Sequence, residues 1–292
     1  MSIRRFLLLA SFLGLCYSQD CSYNNLVQFL KLDSQSKDVR PVLKWKDITN
    51  VTITMYLYTI VKLDNHMQLL TSYVWFAMTW KNEFINWDPE AFCNIEFFFY
   101  SSDNLWTPDN YILEMTEADS KNPVTPFYQI SYDGFISAAK PIRIVSSCNL
   151  NIFYYPFDTQ TCNITFGPYI SDDVNFISEV NSSYLYEQTQ KVFFSIGEWN
   201  LINLNVSDIG NRAQYQITIK RNSSVQVIAF IVPICFLVIL DIIGMFIHLR
   251  DTERLMFKIT VVLGFAFLLV VLNQILSTSE SPPLLMSYFE RE

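Results

Sequence analysis

Glycine is scarce in this chain, with 7 residues in 292, and histidine scarcer still, with only His66 and His248. Two histidines and no cysteine spacing of the metal-binding kind argue against a zinc site. Positive charge is also short: 20 Lys and Arg stand against 28 Asp and Glu, a formal net charge of -8. Such a balance provides no basic field, so nucleic acid is not an expected partner. No nucleophile–base pair or phosphate-binding loop stands out, so neither an enzyme nor a cofactor is expected. What the chain has in quantity is apolar surface: 51% of its residues are hydrophobic and 16% aromatic. That is enough to bury a large core, and it argues against disorder.

Arg4 and Arg5 precede an apolar run over residues 6–15, and Cys16, Tyr17 and Ser18 follow. This order reads residues 1–18 as a signal peptide, too short to cross a bilayer. Glycosylation acceptors follow at Asn50, Asn163, Asn181, Asn205 and Asn222, which suits an exported glycoprotein domain. The mature chain keeps Cys21, Cys93, Cys148, Cys162 and Cys235. Exported cysteines tend to pair, and an odd number leaves at least one free. Cys148 and Cys162 are the expected pair, and closing a loop of that size contributes about 3 kcal/mol. Cys235 lies in an apolar run and is the expected free thiol. Whether Cys21 pairs with Cys93 stays open.

Residues 19–222 read as one all-β unit. Segment 51–60 alternates in the manner of a strand, and 73–80, 141–146, 192–195 and 215–219 repeat the pattern. Asp88-Pro89, Pro108-Asp109 and Asp133-Gly134 mark turns between them. Short strands broken by turns predict a β-sandwich. After Asn222 the composition changes. Residues 225–249 hold one acidic residue, Asp241, and a second apolar run covers 257–276. Each is long enough for a hydrocarbon core of about 30 Å. We therefore divide the remainder into a first transmembrane helix at 223–249, a loop and second helix at 250–277, and an outer loop at 278–292. The signal peptide places the β domain outside, so the charged link Arg250-Asp251-Thr252-Glu253-Arg254 is expected at the cytoplasmic side. Met256, Thr260, Leu263, Phe267, Val271 and Gln274 recur on one face of the second helix, with Asn273 and Gln274 polar. That face reads either as a pore wall or as helix-packing polarity, and polar groups inside a span favour the pore.

Between the expected pair the sequence runs Cys148-Asn-Leu-Asn-Ile-Phe-Tyr-Tyr155-Pro156-Phe157-Asp158-Thr-Gln-Thr-Cys162. This resembles the signature of the Cys-loop receptors, the pentameric ligand-gated ion channels. Trp75, Trp80, Trp87-Asp88-Pro89, Trp106-Thr107-Pro108-Asp109, Glu198-Trp199, Pro233, Phe257-Lys258-Ile259-Thr260 and Leu263-Gly264 fall in the family's order. The resemblance covers nearly all of residues 25–292 and is strongest to serotonin type 3 receptor subunits.

The resemblance implies an extracellular immunoglobulin-like β-sandwich that binds ligand, followed by transmembrane α-helices, five subunits to a ring. Partners would be other Cys-loop subunits in a heteromeric pentamer, membrane lipid and a small cationic neurotransmitter, with serotonin suggested by similarity. The expected place is the plasma membrane, at a synapse on its receiving side. Trp75 matches the complementary face of an aromatic ligand box, with Tyr128 and Tyr132 in the adjoining strand region; Glu114 and Tyr169 match the principal face. The capping hairpin, residues 201–215, is short, and its tip Ser207-Asp208-Ile209-Gly210-Asn211 lacks an aromatic. Tyr155, Pro156, Phe157 and Asp158 would couple binding to the pore, with Asp64 and Arg221 as charged neighbours. Glu253 would form a cation-attracting ring and Leu263 the hydrophobic constriction. Met256 stands where serotonin type 3 subunits have a small hydroxyl residue, and Asn273 and Gln274 replace an outer acid. An accessory role is therefore expected. Pro282-Pro283-Leu284-Leu285 resembles the lead into a third span, so the chain is read as stopping short of the family's full length. The alternative is a short form acting as a non-conducting binding or assembly-modulating subunit.

Overall fold

The computed structural model describes residues 22–117, 125–246 and 250–275. The signal-peptide assignment and the approach to a third span lie outside these residues. Two compact units form, one from residues 22–49, 79–108 and 125–138, the other from 50–78, 109–117 and 139 onward.

The first unit opens with helix α1, Tyr23–Leu30. Ser22 caps it by accepting from the Asn24 N–H, and Leu26 and Leu30, one turn apart, turn inward. Strands β3 (Phe97–Ser101) and β6 (Phe127–Ser131) pair antiparallel, and β6 continues into the start of β7 (Phe135–Ser147). The turn between β6 and β7 depends on Gly134 at φ +85°, whose missing side chain leaves room for the Asn82 carbonyl oxygen. Trp80, Ile85, Trp87, Phe98 and Ile130 form the core of this unit.

The second unit is a sandwich. One sheet holds β1 (Thr49–Asp64), β2 (Leu69–Lys81), β9 (Val174–Ser178), β7 and the short β5 (Met115–Glu117). The other runs β10 (Trp199–Ile209), β11 (Arg212–Arg221), β8 (Thr159–Gly167) and β4 (Tyr111–Ile112). Alternate residues of β11, Ala213, Tyr215, Ile217 and Ile219, are fully buried. The layers meet where Phe76 stacks on Phe166 at 5.0 Å and the Tyr215 hydroxyl donates to the Ile53 carbonyl. Burial pushes the Tyr215 phenol far up from its ordinary pKa.

The all-β expectation needs two corrections. Besides α1, the chain inserts helix α2, Ser182–Val192, capped by Asn181, whose side chain accepts from the Tyr184 N–H. Leu185 and Thr189 are its buried face. The expected strand at 192–195 is the end of this helix and an extended exit held by one pair of bonds to β1, where Phe194 N–H donates to Tyr58 and Thr59 donates to Phe194. Hydrophobic content alone could not separate that exit from a strand.

Two helices of 23 residues each, Ser224–Phe246 and Thr252–Gln274, are long and apolar enough to cross a membrane. In the first, a π-helical turn at Val227–Ile231 precedes α3, Val232–Phe246. Pro233 has no N–H to give the preceding turn, and a widened turn absorbs that loss. Helix α4, Asp251–Ile275, packs back on α3: Gly244 lies against the Phe257 ring, and Leu237 lies 3.2 Å from where a side chain on Gly264 would begin.

Candidate functional site

Strands β4, β8 and β11 lie side by side, and one row across them builds a cavity. Tyr111 pairs with Gly167, and Arg212 is the next residue of β11 after the Ala213–Phe166 pair that ends its ladder with β8. Gly167 is the bare centre of this row; a side chain there would meet Arg212 Cγ at 2.5 Å. A cavity of about 330 Å³ opens above it, lined by Tyr111, Leu113, Thr165, Gly167, Pro168, Tyr169 and Arg212. The loop carrying Tyr169 is held by Asp109, whose carboxylate accepts from the N–H groups of Tyr169 and Ile170 at 3.0 and 2.7 Å. Tyr169 thereby stands 5.2 Å from Tyr111, with its ring largely exposed.

Glu114 reaches the same strand. Both of its oxygens accept from Thr165, one from the N–H and one from the hydroxyl, each at 2.7 Å. In the same unit Trp75 is half-buried on β2 and stands 6.5 Å from Tyr58. In the first unit Tyr128 is buried, edge-on to Trp80 at 5.4 Å, with its hydroxyl bonded to Thr107. Tyr128 is therefore mostly buried in the core of its unit. Tyr132 is exposed in the β6–β7 turn, where its backbone accepts from Trp87 N–H and donates to Glu96.

The hairpin tip is smaller than the sequence suggests. Ser207, Asp208 and Ile209 stay in the ladder opposite Gln214, Ala213 and Arg212, so only Gly210 and Asn211 turn. Gly210 takes φ +64°, the left-handed conformation a turn of this length uses. The hairpin is tied to β9, because Asp208 accepts from the Ser178 N–H and the Asn211 carbonyl accepts from Phe176.

A second cluster surrounds Arg221. The expected disulfide joins Cys148 to Cys162, Cys93 is also disulfide-bonded, and Cys235 is free. Below the disulfide, Arg221 makes a two-pronged pair with Asp158 at 2.7 and 3.1 Å, the side chains 3% and 1% exposed. Its guanidinium also donates to Asn65 at 3.0 Å and lies over the rings of Trp199 at 4.2 Å and Tyr155 at 5.0 Å. Gln160 donates to the second Asp158 oxygen. A buried charge needs such a full set of partners. Burial raises the Tyr155 phenol, with Arg221 pulling the other way. The expected contact surface is thus divided. Tyr155 and Asp158 face inward, Phe157 and Tyr154 are exposed, and Pro156 follows a cis bond. Asn65 rather than Asp64 reaches Arg221. Asp64 instead accepts from Lys62 at 2.6 Å and from the backbone N–H groups of His66 and Met67, and these bonds, Lys62 foremost, hold its carboxyl below the usual carboxylate range.

On α4, Glu253, Met256, Thr260, Leu263, Phe267 and Gln274 are exposed and Val271 is half-buried, while Val261 and Leu272 are covered. Thr260, Leu263 and Phe267 share an open groove with Gly264, Ala266 and Val270. The Thr260 hydroxyl donates back to the Met256 carbonyl, which satisfies it without a neighbour. Of the glycosylation acceptors, Asn50, Asn181, Asn205 and Asn222 are exposed and Asn163 is half-buried. Asn163 and Asn205 flank Gln216 in one row of the outer sheet.

Sequence reasoning missed Tyr111, Arg212, Asn65 and Trp199 as members of these clusters. The closeness of the Arg212 side chain to Gly167 has no signature in sequence, since it depends on strand register between segments 45 residues apart.

Comparison with known proteins matches residues 25–230 to the family described as "Neurotransmitter-gated ion-channel ligand binding domain". The chain is 33% identical to the 5-hydroxytryptamine receptor 3A of Cavia porcellus over 87% of its length and 54% of that protein. It is 33% identical to the 5-hydroxytryptamine receptor 3E of Homo sapiens, over 84% and 56%. It is 26% identical to the neuronal acetylcholine receptor subunit alpha-9 of Rattus norvegicus, over 88% and 55%. The chain spans about half the length of these curated relatives.

Proposed function

Because the chain belongs to the neurotransmitter-gated ion-channel family, we propose that it is a subunit of a pentameric, neurotransmitter-gated channel that is cation-selective. The observation that carries this reading is the ligand-binding-domain match over residues 25–230 followed directly by two apolar helices of membrane-crossing length. The family is one of receptors and not of enzymes. In this reading residues 19–222 lie outside the plasma membrane after loss of residues 1–18, and residues 223–249 and 250–277 form the spans. Glu253 from each subunit supplies a carboxylate ring that concentrates cations, and Leu263 supplies the apolar constriction. Trp75 offers an aromatic face to an ammonium ligand bound by a neighbour. The Arg221–Asp158–Asn65 cluster joins the disulfide loop to the strand that leads into the first helix, the place where a shift of the sandwich would reach the membrane.

An accessory role in heteromers is supported by the principal face: Tyr169 is its aromatic, and the hairpin tip is only Gly210-Asn211 and tied to β9. The test is co-expression with a 5-hydroxytryptamine receptor 3A subunit under voltage clamp. A changed single-channel conductance, lost on Glu253→Lys, with a reversal potential following sodium, is the expected result. A reversal potential following chloride overturns the selectivity. Reduced surface receptor number at unchanged conductance makes the chain a non-conducting assembly modulator instead.

A further inference from the structure

The cavity beside Tyr169 is lined by Arg212, an exposed cation on the row next to Gly167. Among the described residues the Arg212 guanidinium takes part in no ion pair or hydrogen bond, although it can donate five. Neither acid at the cavity pairs with it: the Asp109 carboxylate accepts from the Tyr169 and Ile170 N–H groups. Both Glu114 oxygens are occupied by Thr165, and Gln214, in the next row, donates to the same Thr165 hydroxyl at 3.3 Å. The Arg212 aliphatic stem lies against Gly167, where any side chain would meet Arg212 Cγ at 2.5 Å. Tyr111 borders the other side of that glycine, and Tyr169 stands over the opening.

A bare ammonium ligand would meet this charge at close range and be repelled. A ligand carrying a carboxylate would not, since guanidinium and carboxylate match in two-pronged geometry. We infer that this cavity selects ligands bearing a carboxylate as well as an ammonium group, such as amino acids, with Arg212 as the specificity-determining residue. The carboxylate seats on Arg212, while the ammonium end faces the rings of Tyr111 and Tyr169. This rests on the proposed place of Tyr169, which borders the cavity, on the principal face of a neurotransmitter site, and it replaces a simple amine by a zwitterion as the favoured class.

The experiment uses membranes from cells expressing the full chain together with a 5-hydroxytryptamine receptor 3A subunit carrying a disabled principal face. Saturation binding is measured for serotonin and for 5-hydroxytryptophan, which differ only by a carboxylate. The expected result is a preference for 5-hydroxytryptophan of about ten- to a hundredfold, the range of a charge-assisted hydrogen-bonded pair. Arg212→Gln removes the preference and Arg212→Glu reverses it, with thermal melting of both variants as in the unaltered chain because the side chain is exposed. A preference for serotonin, or a ratio unmoved by Arg212→Gln, overturns the carboxylate assignment while leaving the site in place. Binding of neither compound overturns the site itself, and this inference with it.

Discussion

Arg221 and Asp158 form a buried ion pair, and among the described residues each is the other's only ion-pair partner, which sets what substitution does there. Removing one leaves the other charged and buried, which costs about 3–5 kcal/mol. Arg221→Ala is expected to lower the stability of the purified protein by that amount in chemical denaturation, and a loss under about 1 kcal/mol would show that water reaches the pair. Asp64 behaves differently because it is partly exposed. Its folded pKa lies below the unfolded one, so its contribution is present above the ordinary aspartate value of about 3.9 and is lost as pH falls through the lower folded value. Denaturation midpoints measured from pH 6 downward should fall less steeply in Asp64→Asn than in the unaltered chain. An identical acid limb in both would mean that the bonds from Lys62, His66 and Met67 do not hold in solution.

At the scale of elements, two glycines that look alike in sequence separate. Gly134 and Gly210 both turn antiparallel strands with positive φ. A methyl group on Gly134 would collide with backbone, the Asn82 carbonyl oxygen lying 2.6 Å from it, whereas the space around Gly210 is open. Gly210→Ala should cost only the left-handed conformation, about 1 kcal/mol. Gly134→Ala adds a backbone clash and should cost several times more, which paired thermal melts would resolve; equal losses would contradict the close approach. The membrane hairpin uses glycine in a third way. Gly244 and Gly264 have small surfaces that let Phe257 and Leu237 approach, which is how helices pack where apolar surface gains nothing from leaving water. Strand β10 shows the limit of patterning: Ser207, Asp208 and Ile209 have turn-like composition yet stay paired, because β11 and β9 supply their backbone partners.

For the whole molecule, much was legible without coordinates. The alternating runs, the spaced cysteines with Tyr155-Pro156-Phe157-Asp158 between them and the two apolar stretches are local properties, and local patterns survive in sequence. They determined the sandwich, the disulfide from Cys148 to Cys162, the free Cys235 and the two helices. Helix α2 escaped because its inward face is only Leu185 and Thr189, too little for a period to show. Only the tertiary structure decided which side of each strand meets water. It turned Tyr128 into the core, put Asn65 instead of Asp64 on Arg221, and set Arg212 beside Gly167. Such placements follow from strand register and from which polar groups find partners, and both depend on segments far apart along the chain.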